Sequence, residues 1–203
     1  MAKSKKDETL DALRSYARKC RDCPLWANAT QTVFGAGDPH ARVMLVGEQP
    51  GDEEDRKGLP FVGPAGRLLD RALEAAGVNR DELYVTNAVK HFKWQLRGKR
   101  RLHKTPAQRE IDACHQWIER EIQLVKPHVI VALGATAAKA IIGPQFKVSV
   151  QRGKLVESAL APCVFATFHP SALLRIKDET EKETAFKQLV DDLRLIERAL
   201  ERP

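Results

Sequence analysis

The apolar residues change their spacing several times along the chain, and each change predicts an element. Residues 10–17 carry apolar side chains at helical spacing and predict a helix. Residues 42–47 (Arg-Val-Met-Leu-Val-Gly) are an apolar run halted by glycine, the pattern of a strand buried on both faces. Gly63-Pro64 opens a helix with Leu68, Leu69, Ala72, Leu73 and Ala76 on one face and Gly77 at the C-cap position. Residues 83–88 predict a second strand that ends at Asn87. Thr105-Pro106 caps a long helix whose apolar face is Ile111, Cys114, Ile118, Ile122 and Val125, and Lys126-Pro127 ends it. Residues 128–133 and 164–168 predict two further core strands. Residues 135–142 predict a short helix, 154–157 an edge strand and 180–200 a terminal helix.

Strands alternating with helices predict an α/β fold, a three-layer α/β/α sandwich around a central, mainly parallel four-stranded sheet. It occupies one domain over residues 9–203, and residues 1–8 read as a disordered tail. In such sheets ligands bind beyond the carboxyl ends of the strands. Those ends carry Gly47-Glu48-Gln49-Pro50-Gly51, Asn87 and His169-Pro170-Ser171, so three polar groups are expected on one rim.

Composition narrows the class. A chain of 203 residues, 43% hydrophobic and 30% charged, buries a core without disulfide staples. No apolar run reaches the roughly 18–20 residues of a membrane span, and no apolar segment follows the first residues as in a secretory signal. Membrane protein, secreted disulfide knot, collagen and coiled coil are excluded, and a cytoplasmic monomer is expected. The net charge of +7 suits an anionic partner, nucleic acid first among them. Residues 90–104, KHFKWQLRGKRRLHK, hold seven Lys/Arg, two His and two aromatics with no carboxylate, a stretch suited to lying against phosphates.

Four cysteines are present, Cys20, Cys23, Cys114 and Cys163. The C-x2-C pair at 20–23 suits a metal better than a thioredoxin-type redox pair, because no βαβ unit starts there. Cys163 sits in an apolar strand and Cys114 on the inner face of its helix, where both also read as small hydrophobes. Spacing alone leaves Cys163 and His91 as alternatives for the fourth ligand.

Five separated motifs then fall into a familiar order. GEQPGDEED (47–55), GLPFVGPAGRLLD (58–70), TNAVKHFKW (86–94), VIVALGATAAKAI (129–141) and TFHPSALLR (167–175) together resemble the uracil-DNA glycosylase superfamily. More narrowly they resemble its iron–sulfur family four and the UdgX branch, whose marker loop KRRIH is similar to Lys99-Arg100-Arg101-Leu102-His103 here. The resemblance covers about residues 20–175. It implies the uracil-DNA glycosylase fold, and a [4Fe–4S] cluster on Cys20, Cys23, His91 and Cys114, with Cys163 left in the core. It implies uracil-containing DNA, single- or double-stranded, as partner.

On that footing the rim residues acquire roles. Phe61 stacks on uracil, and Asn87 donates to its O4 and accepts from N3–H, which favours uracil over cytosine. Gln49 lines the slot through its backbone or amide. His169 stabilises charge on O2 as the base departs. Glu48, Asp52 and Asp55 are candidates to face the cationic sugar or the base, while Glu53 and Glu54 read as a solvated turn. His103 attacks C1′ and stays bonded to it, with Glu48 orienting the imidazole and helping to remove its proton. Lys99, Arg100 and Arg101 grip phosphates or hold their loop against the site, and Ser171 and Arg175 contact the backbone of the flipped nucleotide. Two competing expectations are a multiple-turnover family-four enzyme, in which His103 only touches DNA, and a metal-stabilised nucleic-acid-binding module without catalysis.

Overall fold

The computed structural model describes residues 9–202, so the expected tail at 1–8 lies outside the described residues. Four strands form a parallel sheet: β2 (Val43–Gly47), β3 (Leu83–Asn87), β6 (Val129–Leu133) and β7 (Cys163–Thr167), every residue of them buried. Their continuous apolar runs follow from the helices that cover both faces. A two-residue strand, β1 (Ala36–Gly37), pairs antiparallel with β3 and makes the order β1-β3-β2-β6-β7. The expected four-stranded sheet is therefore the parallel core of a five-stranded one; a strand of two residues has no period to read.

Alternate strand residues serve opposite layers, as the period of two requires. Val43, Leu45, Leu83, Val85, Val131 and Phe165 pack on α3 (Pro64–Ala76), α8 (Glu179–Leu193) and α9 (Leu195–Leu200). Met44, Val46, Tyr84, Ile130 and Ala132 pack on α4 (Gln108–Val125) and α5 (Ala135–Ile141). A third cluster joins α1 (Leu10–Ala17) to α4, and the short helices α6 (Val148–Gln151) and α7 (Pro170–Leu173) precede and follow β7.

Helix α3 starts at Pro64 and stops at Gly77, which takes the left-handed conformation at φ 77. The expected cap of α4 at Thr105-Pro106 is corrected: the N-cap is Ala107, whose N–H is met by the Glu110 carboxylate at 2.7 Å. The expected terminal helix is two helices with a turn at Arg194, which keeps Ile196 and Ala199 on the same cluster as Leu189 and Leu193. The expected edge strand at 154–157 is a single bridge, Val156 to Val164.

The basic insertion is an ordered β-hairpin, β4 (Trp94–Arg97) and β5 (Arg100–His103), with Trp94 opposite His103. Gly98, at φ 60, occupies the first central position of its two-residue turn, the place where a twisted hairpin needs a positive φ.

Candidate active site

A cavity of about 540 Å³ opens at the carboxyl ends of the parallel strands. Glu48 and Gln49 follow β2, Asn87 ends β3, Gly134 and Ala135 follow β6, and His169 and Ser171 follow β7; all line it, joined by Phe61, Asp52, Arg175 and His103. Strand pairing brings these residues together, since Gly47 lies beside Asn87 and Leu133 beside Thr167 in the register.

One wall is a closely fitted slot. A Cβ on Gly47 would stand 2.4 Å from Asn87 Oδ1 and 2.5 Å from the Phe61 ring, so only glycine lets the two approach. Phe61 takes a left-handed backbone at φ 55, a strained conformation for a bulky residue, and sits 5% exposed. Asn87 is 2% exposed. Its side-chain amide has no hydrogen-bond partner among the described residues, so both ends are free for a ligand edge.

Facing the slot is a group of titratable side chains. His169 stacks near Phe61, ring centroids 6.0 Å apart, and its Nδ1 accepts the Ser171 N–H at 3.1 Å. With Nδ1 an acceptor, the neutral imidazole carries its proton on Nε2. Burial pushes this histidine down to about 4, with Glu48 opposing and His103 and Arg175 reinforcing the shift, so the ring is neutral at pH 7. His103 Nε2 lies 3.2 Å from Glu48 Oε1, and the other Glu48 oxygen accepts from the Thr136 hydroxyl. Burial raises the Glu48 carboxyl, but the bonds from His103 and Thr136 and the fields of His103 and His169 outweigh it and hold it below the ordinary value.

Several sequence expectations change here. Asp55 does not line the cavity; it is fully buried and accepts from Thr30 N–H at 2.9 Å, from the Thr30 hydroxyl at 2.6 Å and from Arg101 Nη1 at 2.7 Å. Of the two roles expected for Arg101, gripping phosphate or holding its loop against the site, the geometry is that of the second: it turns inward and bridges Asp52 and Asp55, with its guanidinium 5.5 and 5.4 Å from the Phe92 and Trp94 rings. Gln49 lines the cavity, but its amide is engaged by Lys93 N, Lys93 O and Lys104 O and ties both ends of the hairpin to β2, which leaves its backbone to face the slot. Glu54 is buried and accepts from the N–H of Gly51 and Gly63, which corrects its reading as a solvated turn residue. Of the basic stretch, Lys90 is buried against Glu121 and Lys93 pairs with Glu110 at 2.8 Å. Arg97, Lys99, Arg100 and Lys104 remain exposed.

The chain is similar in sequence to known proteins. The family model described as the uracil DNA glycosylase superfamily matches residues 34–194. The chain belongs to the uracil-DNA glycosylase superfamily. It is 37% identical over 171 residues to the Type-4 uracil-DNA glycosylase of Thermotoga maritima, covering 84% of this chain and 85% of that protein. It is 35% identical over 188 residues to the Type-4 enzyme of Pyrobaculum aerophilum, covering 87% and 91%. A Type-5 uracil-DNA glycosylase of Thermus thermophilus is 34% identical over 140 residues, 62% of this chain and 59% of that one.

This glycosylase-family fold also gathers three of the cysteines. Cys20, Cys23 and Cys114 lie in one apolar cluster with Leu13, Phe34 and Trp117, and Trp117 Nε1 donates to Cys20 Sγ at 3.3 Å. His91 is 4% exposed; its Nε2 lies 3.0 Å from the Thr32 hydroxyl and its Nδ1 is buried without a partner. Among the described residues no three His, Cys, Asp or Glu side chains stand close enough to hold a single ion. A four-iron cluster spans its ligands more widely than one ion does, and three thiols in one apolar cluster, with a buried imidazole nitrogen left without a partner, fit such a group. Cys163 lies apart on β7, its Sγ 3.7 Å from Ala199 O.

Sequence reading missed Thr136. It follows the end of β6, where Gly134 and Ala135 carry no polar side chain, so no chemical signal marked it.

Proposed function

We propose that this chain excises uracil from DNA and then bonds His103 to C1′ of the abasic deoxyribose, in a single turnover. The observation that carries this reading is the contact of His103 with Glu48 on the wall of a cavity that also holds Asn87, Phe61 and His169. A uracil nucleotide flipped from the stack places its base against Phe61, with O4 and N3–H on the free amide of Asn87. His169, neutral and protonated on Nε2, donates to O2 as the C1′–N1 bond breaks and the electron pair moves into the base. The ionised Glu48 stabilises the positive sugar. An imidazole nitrogen of His103 then forms the new bond to C1′, and Glu48 accepts the proton that the substituted ring gives up.

Exposed Arg97, Lys99, Arg100 and Lys104, with Ser171 and Arg175, supply the phosphate contacts, and each neutralised phosphate steepens the salt dependence of binding. Cys20, Cys23, His91 and Cys114 would hold a [4Fe–4S] cluster, which pins the N-terminal segment and α4 to the root of the hairpin. The second reading is a multiple-turnover enzyme in which water attacks C1′; the similarity to Type-4 uracil-DNA glycosylases favours it.

Mixing the protein with uracil-containing single-stranded DNA separates the readings. A denaturation-resistant complex whose digest carries the sugar on His103 is expected. Released uracil with unmodified peptides across residues 100–104 would establish the water-attack enzyme, and untouched uracil a binding module.

A further inference from the structure

Glu48 is held from two sides. Its Oε1 meets His103, which rides on the hairpin, and its Oε2 accepts from Thr136, which belongs to the first turn of α5. β2 and β6 are neighbours, Val46 beside Ala132, so the ends of these strands bring Glu48 and Thr136 together on the rigid core. Thr136 is 8% exposed and its hydroxyl makes no second bond among the described residues. The groups facing Glu48 are thus His103 from the hairpin, Thr136 from α5 and His169 from the end of β7, with Arg175 acting on His169. A glutamate has three side-chain torsions, and one bond to an imidazole on a separate hairpin does not fix them all.

We propose that Thr136 is a positioning residue, whose hydroxyl fixes the Glu48 carboxylate so that its other oxygen stands opposite His103. The inference rests on the reading of Glu48 given above and goes beyond it by naming the group that aims it.

Thr136→Val keeps the shape and removes the hydroxyl; Thr136→Ser restores it. In single turnovers on uracil-containing single-stranded DNA, the valine variant is expected to form the covalent bond more slowly, by on the order of tenfold. Its acid limb should move to higher pH, because Glu48 loses a hydrogen bond to its ionised form. The serine variant should recover both. A second readout needs neither DNA nor activity: carbon-13 NMR of labelled glutamate, with Glu48→Gln for assignment, should show Glu48 titrating higher in the valine variant than in wild type. A folded valine variant with wild-type rate and wild-type Glu48 titration overturns the proposal, as does a serine variant as impaired as valine. Should valine prevent folding, Thr136→Ala carries the same comparison. If the wild type releases no uracil, the functional reading falls, and the carboxyl titration still decides the role of Thr136.

Discussion

Arg101 Nη1 lies 2.7 Å from Asp55 Oδ2, a carboxylate with no exposure to solvent. The pair joins the hairpin to α2 (Asp52–Lys57), and His103 stands two residues further along the same strand, on the same face. The contact therefore sets where the imidazole stands relative to Glu48.

Replacing Arg101 by methionine leaves Asp55 buried with one partner fewer. Unfolding in denaturant should show a loss on the order of 1–3 kcal/mol. Covalent bond formation should slow more than uracil release, because the base-holding residues sit on other elements. Measuring both in single turnovers checks this; equal slowing would mean that the hairpin is not the element displaced.

Gly47 separates Asn87 from Phe61. A methyl group there would force the two apart, and displacement of reacting groups by about 1 Å can cost roughly a hundredfold in rate. Gly47→Ala is expected to reduce uracil release by about that factor while a folded circular-dichroism spectrum is kept. Near-wild-type release would show that the slot is not where the base binds.

His169 links stability to pH. Its folded value is about 4, below the ordinary 6.5, because burial disfavours the charged ring. Between those values the unfolded chain binds a proton that the folded chain does not, so stability falls as the pH drops from about 6.5 towards 4. His169→Gln should flatten that slope in urea unfolding measured at stepped pH. An unchanged slope would assign the protons to other groups.

The cysteine cluster predicts a colour. The purified protein should be brown and hold iron and sulfide, and Cys23→Ser should lose both along with thermal stability. Cys163→Ser, altered on a strand away from the other thiols, should keep them. A colourless protein loaded with zinc would contradict the iron–sulfur assignment.

The strands, the principal helices and the rim were legible because each depends on local periodicity. An apolar run such as 43–47 has to be buried on both faces, and Gly47 ends it. Glu48, Asn87 and His169 could be placed on one rim because parallel strands put their carboxyl ends together. The partners of the charged residues were not legible. Lys90 and Arg101 both stand in a stretch that looks uniformly basic, and nothing local separates them from Lys99 or Arg100. Lys90 is buried because Glu121, on the same face of α4 as Ile118 and Ile122, meets it on the face of the sheet that α4 covers.

The sequence by itself determined the layer order, the rim and the superfamily, since hydrophobic period and motif order are properties of neighbouring positions. Only the tertiary structure decided which carboxylate faces the cavity and which is locked onto an arginine, where Gln49 points, and what holds Glu48. A charge or an amide has no role until its partner is known, and those partners, 31 residues apart for Lys90 and Glu121 and 88 for Glu48 and Thr136, meet only when the sheet closes.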